Sequence, residues 1–250
     1  MSRCASLSAT LVAFALLFSL PLQGQDAAES QESTGEPAVG DQVIRHAVYI
    51  TFQASASDSD IQGVVDTFAA LEAEIPSIID FESGTNNSPE NLNDGFTHCF
   101  LVTFADQKGL QSYLPHPGHL GLVRKATPFA ADMFVMDYVG KLDQSPKNQL
   151  RHAVYFKFKD DATPQQVAKV EQAFAALPSK IDSIKGFEMG TNLKPGRYDH
   201  GFTHCFLLTF EDEAGRADYL PHPDHQAFGK LLRPVLDKVR VLDYWTGETP

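Results

Sequence analysis

The chain of 250 residues is poor in several residue types, and these shortages argue against several kinds of site and partner. It has only 3 cysteines and no Cys-x-x-Cys pair, which argues against a disulfide scaffold and a thiolate zinc site. Its 20 basic residues are outnumbered by 32 acidic ones, for a net charge of -12. Because such a surface repels phosphate backbones, we expect no nucleic-acid partner. The composition, 43% hydrophobic and 21% charged, is that of a folded globular protein.

The first residues have the pattern of a targeting segment. Arg3 supplies a positive start, residues 7–22 form an apolar run without charge, and Gly24 is a small residue suited to cleavage. The run is shorter than the ~20 residues that span a bilayer. Residues 1–24 are therefore predicted to be a signal peptide, and the protein to be exported (periplasmic or secreted) with no membrane association after its removal. Residues 25–42, rich in Glu, Asp, Ser, Ala and Gly, are predicted to form an acidic flexible linker.

The rest of the chain is an internal duplication. Residues 45–144 align with residues 151–250 without a gap at an offset of 151 - 45 = 106, and about 42 of the 100 aligned positions are identical. The motifs RHAVY, FAAL, GTN, GFTHCFL and YLPHP-x-H each occur in both halves. A repeat of this length is a duplicated domain rather than a solenoid unit. The predicted boundaries are 43–140 for repeat 1, 141–149 for a linker and 150–250 for repeat 2.

Each repeat has the hydrophobic pattern of strand, helix, strand, strand, helix, strand. Residues 46–52 and 96–104 alternate in polarity as half-buried strands do, with Phe96, His98 and Phe100 predicted to share one face. Helices packed on one face of a four-stranded antiparallel sheet give an α+β fold. The other face of each sheet also needs cover, which the two repeats can supply for each other. A helical apolar stripe is formed by Ile61, Val64, Phe68, Leu71 and Ile75.

These motifs also resemble those of a known family, the stress-responsive α/β-barrel domain (Dabb) of the dimeric α+β barrel superfamily. The resemblance lies in the H-x-V-x-F-x-F start at His152, the Y-x-x-HP-x-H run from Tyr219 to His225, and the terminal Asp-Tyr pair at 243–244. Family members usually have one domain and pair as homodimers. The resemblance therefore implies two tandem ferredoxin-like repeats that form one intramolecular pseudo-dimeric barrel, with repeat 1 paired to repeat 2. Further assembly of such barrels stays open.

The histidines are the main clue to function, because eight of the 9 fall at matched positions in the two repeats. Two strands and the YLPHP-x-H segment are expected to converge on a pocket in each repeat, where an imidazole can move a proton and a phenol can polarise a carbonyl. The expected partner is a small carbonyl-containing or apolar molecule. The predicted ligand-binding residues are His46, His98, His152, His204, Val48, Ile50, Phe100, Val102, Val154, Phe156, Phe206 and Leu208.

The catalytic roles are implied by the resemblance. A cofactor-free polyketide cyclase of the same family uses the last His of the HP-x-H run as a general base and the Tyr that opens the run as its partner. By motif, the bases here are His119 and His225, and their partners are Tyr113 and Tyr219. The implied chemistry is proton removal next to a carbonyl, of a cyclase or lyase kind, with no cofactor.

Other interpretations stay open at this point. His116 and His222 lie between prolines and are predicted to be structural. A metal site is an alternative, since His116 and His119 are three residues apart, but the flanking prolines disfavour a regular helix and we predict no metal. A non-catalytic, stress-protective barrel is a further alternative. Cys99 and Cys205 occupy equivalent positions, and we expect free buried thiols rather than a disulfide.

Overall fold

Two repeats with the same order of strands and α-helices make up residues 42–142 and 148–247, the part of the chain that the structure, a computed structural model, describes. The predicted signal peptide and nearly all of the acidic linker lie outside the described residues. Repeat 1 contains β1 (Gln42–Phe52), α1 (Asp58–Glu74), β2 (Ile78–Thr85), β3 (His98–Phe104), α2 (Gln107–Tyr113), α3 (Pro117–Ala126) and β4 (Ala130–Lys141). Repeat 2 contains β5 (Leu150–Phe158), α4 (Pro164–Ala175), β6 (Ile184–Thr191), β7 (His204–Phe210), α5 (Glu213–Tyr219), α6 (Pro223–Leu232) and β8 (Leu236–Trp245).

Each repeat has one four-stranded antiparallel sheet, in the order β2-β3-β1-β4 or β6-β7-β5-β8. In this register His46 of β1 lies opposite Asp137 of β4, and His152 of β5 lies opposite Asp243 of β8. Opposite residues of neighbouring strands project from the same face. The sheet therefore brings a histidine and a carboxylate together, and the predicted α+β fold of two ferredoxin-like repeats is confirmed.

The helices cover one face of each sheet. The predicted stripe of α1 is buried at Val64, Phe68 and Leu71. Ser57 caps α1 by accepting a hydrogen bond from the amide of Asp60, and Thr163 caps α4 in the same way. Such caps satisfy amides that the first turn of a helix leaves unpaired. No helix in the two described stretches is both long and apolar enough to cross a bilayer.

The other faces of the two sheets pack against each other, as expected. This inter-repeat core has Tyr49 and Tyr155 at its centre, with 2.7 Å between their hydroxyl oxygens. A Cβ at Gly84 would lie 2.9 Å from the Cβ of Tyr244, so the GTN motif needs glycine where the repeats meet. The core is formed by Ala47, Tyr49, Phe96, Cys99, Leu101, Phe134, Met136, Tyr138, Ala153, Tyr155, Phe202, Cys205, Leu207, Leu242 and Tyr244.

The structure differs from the predicted pattern at Phe96. This ring is fully buried in the inter-repeat core rather than on the face of His98. The reason is local: the amide of Phe96 donates to the carbonyl of Asn93, and Gly95 adopts a φ of +85°, so the chain turns here and β3 begins only at His98. Two-residue alternation does not hold through a turn.

Candidate functional site

The prolines of the YLPHP-x-H segment separate two short helices, and the histidine between them starts the second helix. His116 is the N-cap of α3, and its Nδ1 accepts a hydrogen bond from the amide of Gly118 at 3.2 Å. His222 caps α6 in the same way, accepting from Asp224 at 3.2 Å. An acceptor nitrogen carries no proton. Both histidines therefore have the structural role that their flanking prolines predicted.

In the last histidine of the segment, the same ring nitrogen donates a hydrogen bond instead of accepting one. Nδ1 of His119 lies 2.8 Å from the carbonyl oxygen of Leu114, and Nδ1 of His225 lies 2.9 Å from that of Leu220. A carbonyl only accepts, so Nδ1 carries the proton and Nε2 keeps its lone pair. Burial lowers the pKa of both histidines, although the backbone hydrogen bond opposes this. Each is therefore a neutral base at neutral pH.

The tyrosine that opens the segment lies against this base. The rings of Tyr113 and His119 are 4.4 Å apart, and those of Tyr219 and His225 are 4.2 Å apart. Burial raises the pKa of both phenols, so they stay protonated and can donate a hydrogen bond. The hydroxyl of Tyr113 is buried without a hydrogen-bond partner among the described residues.

The first-strand histidine is held by a carboxylate on the neighbouring strand. Nδ1 of His46 lies 2.6 Å from Asp137, and Nδ1 of His152 lies 2.7 Å from Asp243. Burial alone would lower the pKa of His152, but the carboxylate of Asp243 outweighs it and raises that pKa. Both ring nitrogens of a charged histidine are donors, so His152 directs an N–H from Nε2 away from Asp243 when its ring is protonated.

In repeat 2 these groups line a cavity of about 240 Å³. Val154, Phe156 and Phe174 supply apolar walls, so the polar groups act where little water competes. Two residues from repeat 1, Glu90 and Leu92, also line it. The cavity thus combines a neutral base, a phenol and a carboxylate-bound histidine, together with a carboxyl group from the other repeat.

Residues 44–140 and 150–246 each match the family described as Stress responsive A/B Barrel Domain, or Dabb. The chain belongs to the Dabb family. A stress-response A/B barrel domain-containing protein of Arabidopsis thaliana is 32% identical over 101 residues, 40% of this chain and 93% of the relative. Olivetolic acid cyclase of Cannabis sativa is 30% identical over 95 residues, 38% of this chain and 94% of that enzyme.

One solved structure shows the same fold over both Dabb repeats. It is that of an anthrone oxidase-like protein, with a TM-score of 0.59 and 12% identity, and the match covers 84% of this chain and 95% of that one. At this identity the likeness concerns the fold alone.

The other strand histidine lies away from the base in each Dabb repeat, which differs from the predicted single cluster. His204 and Phe206 line a separate cavity of about 470 Å³, where Nε2 of His204 lies 3.3 Å from Glu171. Phe206 stacks on Phe174 with their ring centroids 4.3 Å apart, and Phe174 lines the smaller cavity whereas Phe206 lines the larger. The register explains the separation, because the residue opposite His204 on β5 is Phe156, four positions beyond His152.

Several predicted lining residues pack in the repeat cores. His98 contacts Phe52 edge-on with centroids 4.9 Å apart, and burial lowers its pKa. Of the apolar residues predicted to line the pockets, Val154 and Phe156 line the smaller cavity of repeat 2 and Phe206 lines the larger. The others are buried in core clusters: Val48, Ile50, Phe100, Val102 and Leu208.

The residues of the repeat 2 site that were not predicted include Asn87, Glu90 and Arg216. Nη1 of Arg216 donates to Asp243 and to Asn87 Oδ1, both at 2.8 Å. With His152 bound at its other oxygen, Asp243 has a lowered pKa despite its burial. The alignment of the repeats could have indicated these three residues, because the other repeat has an apolar residue or glycine at each matched position: Leu193, Gly196 and Leu110.

The alternative of a metal site finds no support from side-chain placement. Within residues 42–142 and 148–247, no three His, Cys, Asp or Glu side chains are arranged to hold a metal ion. His116 and His119, the pair with the helical spacing, direct their Nδ1 atoms to different backbone groups. Cys99 and Cys205 are buried free thiols, as expected. Burial raises the pKa of both, so neither is a ready nucleophile.

Proposed function

We propose that this tandem Dabb protein binds a small carbonyl compound in the repeat 2 cavity and removes a proton next to the carbonyl, without a cofactor. The observation that carries the proposal is the state of His225. Its Nδ1 donates to the carbonyl of Leu220, which leaves Nε2 as the basic atom of a half-buried ring. This ring lines an apolar cavity beside a protonated phenol.

Each polar group has a distinct role in such a step. Nε2 of His225 takes the proton from the carbon next to the carbonyl. Tyr219 donates a hydrogen bond to the carbonyl oxygen, where negative charge develops as the proton leaves. The ring of His152, held by Asp243 and with a raised pKa, stabilises the same charge when it is protonated. The apolar walls strengthen these interactions by excluding water.

Similarity to a known enzyme supports this reaction class. Olivetolic acid cyclase is named for a ring closure, and it shares 30% identity with one repeat-length of this chain. The base, its tyrosine and the first-strand histidine are present in both repeats. Repeat 1 therefore holds a second set, formed by His119, Tyr113 and His46.

Deuterium exchange tests the proposal without knowledge of the natural substrate. Acetophenone, whose methyl protons exchange slowly in neutral water, is incubated with the full chain in D2O and followed by proton NMR. We expect the protein to accelerate exchange, and His225→Asn to lower the rate by ~10²-fold or more if repeat 2 carries the activity, as general bases contribute. The matched control is His222→Asn, which makes the same change at the capping histidine and retains a good cap.

Two outcomes count against the proposal. Equal exchange rates for the wild type and His225→Asn would show that His225 is not the base. Tight binding of acetophenone with no exchange would instead support a carrier, the non-catalytic role that the sequence left open.

A further inference from the structure

The loop between β2 and β3 of repeat 1 is fixed on the last strand of repeat 2. The amide of Asn87 donates to the carbonyl of Asp243 at 2.8 Å, and the amide of Val241 donates to the carbonyl of Leu92 at 3.0 Å. Glu90 stands between these two anchors. Its position over the repeat 2 cavity is therefore set by backbone hydrogen bonds on either side.

Glu90 reaches His152 without bonding to it. Its Oε1 lies 3.9 Å from Nε2 of His152 and is buried with no hydrogen-bond partner among the described residues. Burial raises the pKa of Glu90, and the nearby charge of His152 opposes that rise. An unpaired buried carboxylate oxygen is costly. The cavity thus holds an acceptor that lacks a donor.

The 3.9 Å distance is too long for a direct hydrogen bond, but an oxygen beside the line that joins the two atoms can lie within hydrogen-bond distance of both. On one side His152, whose Nδ1 is bound to Asp243, offers an N–H from Nε2 when its ring is protonated. On the other side Glu90 offers a carboxylate oxygen. A hydroxyl group both accepts and donates, and it satisfies both sides. An ammonium group only donates hydrogen bonds, and its positive charge would be repelled by a protonated His152. An ether or a carboxylate only accepts, so it would leave the carboxylate of Glu90 without a donor.

We propose that Glu90 and His152 form a hydroxyl-binding subsite, and that the substrate of the repeat 2 pocket is a hydroxylated carbonyl compound. This inference rests on the proposed function, which places the carbonyl beside Tyr219 and His225. It makes Glu90 a specificity residue contributed by the other repeat.

The repeat 1 site differs at this point. Its covering loop is held by equivalent backbone bonds, from Leu193 to Asp137 at 2.8 Å and from Val135 to Tyr198 at 2.9 Å. The residue that matches Glu90 is Gly196, which has no side chain to place a carboxylate there. The repeat 1 site therefore lacks this acceptor, and hydroxyl recognition belongs to repeat 2.

Calorimetric titration with three matched ligands tests the subsite on the full chain. The ligands are acetophenone, 2-hydroxyacetophenone and 2-methoxyacetophenone, whose added groups differ in the ability to donate. We expect the wild type to bind the hydroxy compound about tenfold more tightly than the methoxy compound, the effect of a hydrogen bond to a charged group. Glu90→Ala is expected to reduce this ratio to below about twofold while its affinity for acetophenone stays within about twofold.

Two further variants sharpen the test. Glu90→Gln keeps the size of the side chain and lacks the charge, so it should give an intermediate ratio. Glu72→Ala removes a carboxylate from the exposed side of α1 and should keep the wild-type ratio.

The outcomes separate the subsite from the proposed function. If acetophenone binds and wild type shows no preference for the hydroxy compound, or Glu90→Ala keeps the preference, the subsite is overturned and the carbonyl pocket stands. If none of the three ligands binds, the carbonyl pocket itself fails and the subsite fails with it.

Discussion

Two histidines three residues apart in the YLPHP-x-H segment differ in which ring nitrogen carries the proton. Nδ1 of His222 accepts from a helix amide, so this histidine caps α6. Nδ1 of His225 donates to the carbonyl of Leu220, so this histidine is a base at Nε2. One backbone contact thus sets the tautomer and, with it, the chemistry of each ring.

The pKa values of the two histidines in the repeat 2 cavity are expected to shift in opposite directions. Burial moves the pKa of His225 below its ordinary 6.5, whereas Asp243 outweighs burial and moves that of His152 above 6.5. Near pH 6.5 the base is therefore mostly neutral and His152 mostly charged. Nitrogen-15 NMR of the imidazole rings across pH 5 to 8, a range of about 1.5 units around the ordinary histidine pKa, measures both.

A variant makes this titration specific. Asp243→Asn removes the carboxylate that holds His152, so the pKa of that ring should fall while His225 still titrates below 6.5. Identical titration of the two rings in the wild type would contradict the assigned roles.

At the scale of elements, each short helix that carries the base begins with the same device. Pro117 and Pro223 stand at the first helical position, where no amide hydrogen is needed, and the histidine before each proline caps the helix. The capped helix then carries His119 or His225 two residues further on. Cap and base are therefore coupled through one rigid turn.

We expect the cap of α3 to contribute measurably to stability. His116→Ala leaves the amide of Gly118 without its acceptor and should lower the free energy of unfolding by ~1 kcal/mol. His116→Asn restores an acceptor and should lie near the wild type. Urea unfolding followed by circular dichroism measures both, and equal stability of the alanine variant and the wild type would argue against the capping role.

At the scale of the whole molecule, the two repeats are joined by buried charge as well as by the inter-repeat core. Nε of Arg45 lies 3.2 Å from Glu188 of the other repeat, and Nε of Arg151 donates to Glu82 at 3.1 Å. These matched ion pairs are almost fully buried.

An asymmetric contact favours pairing of unlike repeats. The guanidinium of Arg240 lies 4.4 Å from the ring centre of Phe134, and these two residues occupy matched positions of the alignment. Two copies of repeat 2 paired in this way would bring two arginines together, whereas repeat 1 with repeat 2 forms a cation–π contact. This contact thus favours pairing of repeat 1 with repeat 2 over pairing of two copies of repeat 2.

Removal of one inter-repeat charge should destabilise the whole barrel. Glu188→Gln leaves the buried guanidinium of Arg45 without its counter-charge and is expected to cost ~3 kcal/mol or more. Glu72→Gln, the same change at an exposed position, should cost less than ~0.5 kcal/mol. Thermal and urea unfolding of both variants measure the difference, and similar values for the two would show that the ion pair adds nothing.

The sequence by itself determined the duplicated architecture, because a gapless repeat and periodic apolar residues require only local rules to interpret. The YLPHP-x-H motif likewise indicated His119 and His225, because all of its residues are consecutive in the sequence. Neither the hydrophobic periodicity nor the motif indicates which residues of one repeat contact the other repeat.

Only the tertiary structure decided the composition of the repeat 2 site. Strand register separates His204 from His152, and a loop anchored on β8 brings in Glu90 from the opposite repeat. Arg216 joins the site only because α5 packs beside Asp243. These contacts span up to 243 - 87 = 156 positions of sequence, as between Asn87 and Asp243, and they follow from the closure of the barrel rather than from any local pattern.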